Sequence, residues 1–86
     1  MPRVSEFYGI VIWMFHDDHY PAHFHAEYGE YMVRIRIDSL EPLDRGFPQR
    51  ALRLVQEWGK LHRDELLANW QKARALQPLD KIDPLP

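Results

Sequence analysis

The feature that most constrains this chain is Gly29-Glu30, which separates two stretches of alternating apolar and polar residues. A glycine followed by any residue suits a two-residue type II′ turn, whose first position needs φ > 0. The period of two on both sides is that of half-buried strands. Ala22 to Asp38 therefore reads as a β-hairpin. With that turn, Tyr28 opposes Tyr31, Ala26 opposes Val33 and Phe24 opposes Ile35. Glu27 opposes Met32, His25 opposes Arg34 and His23 opposes Arg36. One assignment sorts both strands into an apolar and a polar face, and a slip of one residue would mix them. The polar face then carries two imidazoles opposite two guanidiniums, with Cβ atoms about 5 Å apart.

The rest of the chain must build on this hairpin. Its 86 residues make one domain, and a chain this short buries only ~60–65% of its unfolded surface. Phe7 to Phe15 is a run of β-branched and aromatic residues without alternation, which predicts a central strand covered on both faces. In that reading Gly9 marks a bulge or close approach, and Met1 to Glu6 is a lead-in. Ile10, Ile12 and Met14 would share a face with His23 and His25, so the tail, a second copy in a homodimer or a partner should cover them. His16 to Pro21 is a polar connection, and a short edge strand is expected near Leu40 to Leu43.

Pro48 opens a helical region with an apolar stripe at Ala51, Leu54, Val55 and Trp58, continuing through His62, Leu66, Trp70 and Ala73. Unbroken to Leu76, it would be about 43 Å long, against about 25 Å for the strands. A break between Gly59 and Asp64 is expected, with Gly59 as the C-terminal glycine of the first helix. One kinked helix is the alternative. The expected fold is α+β: a small antiparallel sheet of three or four strands within residues 7–43, packed on two C-terminal α-helices within 47–77. Residues 78–86 form an extended tail that docks through Leu79, Ile82 and Leu85.

The chain has no cysteine, which excludes disulfides and thiolate metal sites. Its first residues lack a signal peptide's apolar core, and no apolar run is long enough to span a bilayer. A soluble cytoplasmic protein with no membrane contact is expected. A net charge of −2 argues against a general polyanion binder. Residues 48–76 nevertheless hold six basic and three acidic side chains, enough for a local basic surface.

His16, His19, His23 and His25 fall within ten positions, with Asp17, Asp18 and Glu27 as further oxygen ligands. Arg34 and Arg36 would repel a dication, and no metal signature is present, so neither metal nor cofactor is expected. His23 and His25 suit acid/base work, and Arg34 and Arg36 suit bidentate phosphate binding. His19 and Tyr28 would assist in holding RNA, with Tyr20 and Tyr31 also near enough to stack. Together they point to metal-independent cleavage of RNA. The plainer alternative is a solvated sheet face. Trp13, Trp58 and Trp70 read as core, His62 as a core-edge residue, and Arg50, Arg53, Lys60 and Arg63 as a solvated helix face.

Ser5-Glu-Phe-Tyr-Gly-Ile10, Asp18-His19 with Pro21 and His23-Phe-His25, and Glu27-Tyr-Gly-Glu-Tyr31 resemble a family of small bacterial proteins known as domain of unknown function 4160. So do Pro48-Gln-Arg-Ala-Leu52, Glu57-Trp58, Leu61-His-Arg-Asp-Glu-Leu-Leu67, Asn69-Trp70, Pro78-Leu79 and Ile82-Asp-Pro-Leu85. Two departures are Ala22, where relatives carry a second proline, and Trp13, where a basic or polar residue is common. The resemblance implies one half of a two-gene module, with a cognate protein encoded by a neighbouring gene and a proposed toxin–antitoxin role. The expectation is a toxin-like component acting on RNA. The rival is a non-catalytic protein-interaction module.

Overall fold

The computed structural model describes residues 3–16 and 19–86. Four strands and two helices follow in order: β1 (Arg3–Phe7), β2 (Ile10–Trp13), β3 (His23–Tyr28), β4 (Tyr31–Arg36), α1 (Gln49–Leu61) and α2 (Arg63–Arg74). The strands form one antiparallel sheet in the order β1-β2-β3-β4. The fold is α+β, a four-stranded antiparallel sheet followed by two C-terminal helices.

The central hairpin has the expected register at all six pairs, from His23 with Arg36 to Tyr28 with Tyr31. Gly29 sits at φ 59, the conformation its turn position demands. The Phe7–Phe15 run is not one strand. Tyr8 and Gly9 take φ 51 and 78 and turn the chain back on itself. Residues 3–7, read as a lead-in and the start of that strand, instead form the outer strand β1, with Phe7 opposite Ile10. Left-handed backbone is rare for an aromatic residue, which is why Tyr8 concealed the turn. Its hydroxyl donates to the Pro86 carbonyl at 2.6 Å.

β2 does lie inside the sheet, between β1 and β3. Its two faces are not equally covered, however. Ile12 pairs with Ala26 and Trp13 with His25. Ile10, Ile12 and Met14 therefore point with Ala26 and Phe24 toward the helices, and all three are buried. Their expected place beside His23 and His25 was wrong by one residue of register. Covered within the chain, they call for neither a second copy nor a partner.

Trp58 of α1 is the centre of the core. It is fully buried, with its ring 5.3 Å from Phe7 and 5.8 Å from Phe24. The helical region breaks at His62, whose φ of −124 leaves the helix and whose N–H donates back to Gly59 and Trp58. Asp64 and Glu65 occupy the first turn of α2, where negative charge suits the helix dipole. Gly59 is not the terminal glycine. It lies within α1, and a Cβ there would sit 2.6 Å from Leu40 Cδ2. Its role is to let the buried Leu40, held at φ 61, wedge against the helix.

Both outer strands are flanked. Beside β4, Pro42 bridges Ile35, Leu43 N–H donates to Arg34 O and Arg36 N–H donates to Glu41 O. Beside β1, the tail docks as expected: Ile82 is buried and its N–H donates to Val4 O at 2.8 Å. Asn69 of α2 grips the tail from the other side, exchanging two hydrogen bonds with the Asp80 backbone. Among the described residues, no helix is long and apolar enough to cross a membrane.

Candidate functional site

The helices cover one face of the sheet, and four of the six candidate residues, His23, His25, Arg34 and Arg36, lie on the other. Alternation along β3 and β4 places His23, His25, Glu27, Met32, Arg34 and Arg36 there, while Phe24, Ala26, Val33 and Ile35 fill the core. β2 adds Val11 and Trp13 to the same open face.

His23 and His25 come together, with ring centroids 5.2 Å apart and edge to face. Their surroundings differ from those of an exposed pair. His23 is buried, with its ring 5.3 Å from that of Trp70. Its Nδ1–H donates to the Pro21 carbonyl at 2.7 Å, because a carbonyl can only accept. His25 is half-buried and packs 4.5 Å from Phe15. Phe15, His25, His23 and Trp70 thus form a continuous row of edge-to-face and tilted ring contacts from the open face to α2.

The two arginines are held by carboxylates. Arg34 grips Asp44 through Nε at 3.1 Å and Nη2 at 2.8 Å, and its backbone N–H donates to the same carboxylate. Arg36 grips Asp38 through Nε at 2.9 Å and Nη2 at 2.7 Å. Hydrogen bonds from Arg34 hold the Asp44 carboxyl down at about 2, and those from Arg36 do the same for Asp38. The Asp38 carboxylate in turn raises the Arg36 pKa. Two-point pairs of this kind are the geometry by which arginine would hold phosphate. Here that geometry is already occupied.

His19 and Tyr28 are not part of the cluster. His19 is exposed in the β2–β3 connection, with no hydrogen bond or ring contact to His23 or His25 among the described residues. Tyr28 follows Phe24 and Ala26 in the alternation, so it lies on the helix side, 6.5 Å from Phe47. Asp17 and Asp18, weighed as metal ligands, lie outside the described residues. Among the described residues no group of three or more His, Asp or Glu side chains is placed to hold a metal ion.

Met32, placed on this face by the alternation, is 49% exposed. Two features of the face were not expected from the sequence. Trp13, expected in the core, is half-buried on the open side and donates its indole N–H to Glu27 at 2.8 Å. Asp38 and Asp44 neutralise the arginines. Asp38 could have been found, because Arg36 and Asp38 stand two apart in an alternating stretch.

A family model described as Domain of unknown function (DUF4160) matches residues 9–71. The chain belongs to this family. The match takes in the whole open-face segment of β2, β3 and β4, both arginine–carboxylate pairs, all of α1 and most of α2. No curated protein and no solved structure matches this DUF4160 chain.

Proposed function

We propose that this DUF4160 chain is a non-catalytic interaction module that docks a protein partner on the open face of its sheet. The observation that carries this reading is the pairing of both arginines with Asp44 and Asp38. A face whose cations are already neutralised attracts phosphate weakly. Val11 and Trp13 of β2 and Met32 of β4 lie on the same face, on either side of Glu27 and His25 of β3, so apolar surface alternates with self-compensated charge. Protein interfaces are enriched in tryptophan, methionine and arginine at their cores. The product of the neighbouring gene is the candidate partner.

One observation favours the second reading, a toxin-like component that cleaves RNA without metal. The His23 and His25 rings are close enough to act on one phosphodiester. Burial of His23 against Trp70 and its bond to Pro21 weigh against it.

The test uses the purified neighbouring gene product in a calorimetric titration. Trp13→Ala should weaken binding by about thirtyfold or more, as loss of an interface hot spot does. Met32→Ala should weaken it less. Equal binding by wild type and Trp13→Ala would overturn the reading. Growth arrest on expressing the chain alone, relieved by His25→Ala in a protein that stays folded, would favour the toxin-like reading instead.

A further inference from the structure

A second surface, on the helix side and away from the open sheet face, follows α1. A groove of about 510 Å³ runs between α1 and the tail, walled by Tyr8, Leu54, Leu61 and Leu85, with Glu57 and Lys60 at its rim. A neighbouring cavity of about 340 Å³ shares Tyr8 and Leu54 and extends to Tyr28 and Arg50. Two of the walls are exposed, Tyr8 at 59% and Leu61 at 63% accessible, while Leu54 and Leu85 are half-buried against the core. Arg50, Arg53 and Lys60 stand exposed on the same helix, against the single carboxylate of Glu57. None of the three cations has a side-chain hydrogen bond or ion pair to another described residue. They differ in this from Arg3, Arg34, Arg36 and Lys72, each bound to a carboxylate.

We propose that the α1 groove binds an acidic segment of another protein, seating one or two large apolar side chains among Tyr8, Leu54, Leu61 and Leu85 while its carboxylates pair with Arg50, Arg53 and Lys60. An amphipathic segment in an apolar groove is a recurring mode of recognition, read through a few anchor side chains. The unpaired positive charge selects the sign of the flanking residues. Single-stranded RNA fits less well. Tyr8 offers one base a plane, but the three leucine walls offer none, and base edges would meet carbon there where they need donors and acceptors. A second copy fits less well too, because a two-fold interface would set the same cations against each other.

The test selects peptides of about twelve residues from a random displayed library on the immobilised full chain, then measures the synthesised winner by fluorescence anisotropy at ~50 and ~300 mM salt. The winner should be net acidic with at least one large apolar residue. Leu61→Gln, at an exposed position, should weaken its binding about tenfold or more. The double variant Arg53→Glu, Lys60→Glu should do the same and reverse the salt dependence, because the rim then repels carboxylates and salt screens that repulsion. Trp13→Ala, on the opposite face, should leave it unchanged, which separates this site from the proposed partner face. A winner without acidic residues, no peptide better than its scrambled control, or undiminished binding to Leu61→Gln would overturn the proposal. So would an oligouridine probe that binds more tightly and is lost in the same variants, or a concentration-dependent dimer abolished by Leu61→Gln.

Discussion

Phe24, Val33 and Ile35 are fully buried, whereas their chain neighbours His25, Arg34 and Arg36 face outward and keep part of their surface in water. The two sets hang on the same backbone, one residue apart. On the helix side, energy comes from removing apolar surface from water, about 1.5–3 kcal/mol for a large side chain. On the open side, polar groups gain little from folding and must instead find partners: Asp44 for Arg34, Asp38 for Arg36, Glu27 for Trp13. Stability is therefore concentrated on one face, and the other is free to serve recognition.

The sharpest way to break this contrast is a pair of truncations. Phe24→Ala should cost about 3–5 kcal/mol, as large core truncations do. Met32→Ala, across β4 on the open face, should stay within about 0.5 kcal/mol. Urea unfolding measures both, and similar losses would mean that the faces are not energetically distinct.

Gly59→Ala probes how tightly the covered side is packed. Alanine is the better helix former by about 1 kcal/mol, but its Cβ would drive Leu40 from its place. Overpacking costs typically about 1–3 kcal/mol, so a net loss of about 1 kcal/mol is expected in the same unfolding assay. A gain would show that Leu40 can retreat freely.

The smallest effect belongs to the open face and depends on pH. The Asp44 carboxyl sits at about 2 in the folded chain, below its ordinary 3.8. A depressed acid stabilises the fold above its unfolded pKa and loses that contribution as pH falls through the folded one. Asp44→Asn should therefore be less stable than wild type near pH 6 by about 1 kcal/mol or less, given solvent screening of an exposed pair. The difference should shrink between about pH 4 and 2. A difference unchanged down to pH 2 would assign it to packing rather than charge.

The hairpin was legible because Gly29 fixes the turn and alternation fixes the faces, two signals that agree. The break near His62 was legible from geometry, since one straight helix would overrun the strands. The β1–β2 turn was not legible, because Tyr8 is a poor candidate for positive φ and Gly9 alone did not outweigh the β-rich run around it. That miss shifted Ile10, Ile12 and Met14 to the wrong face. At the candidate site, His23, His25, Arg34 and Arg36 were placed on one face correctly from the sequence, but their state was not, and His19 and Tyr28 lie elsewhere. Asp44 reaches Arg34 only because residues 41–44 fold back along β4, a tertiary event that no local pattern records.

The flanking of both outer strands limits how this domain can associate. Backbone donors of β4 at Arg34 and Arg36 are spent on Asp44 and Glu41, and β1 is engaged by Ile82 and Lys81 at Val4 and Arg3. Neither border offers the uninterrupted row of amides on which a visiting strand could template itself. The sheet is a tile of finished width. Fibre growth and strand donation between molecules are obstructed at both sides, so whatever meets this protein must read side chains rather than extend its backbone ladder.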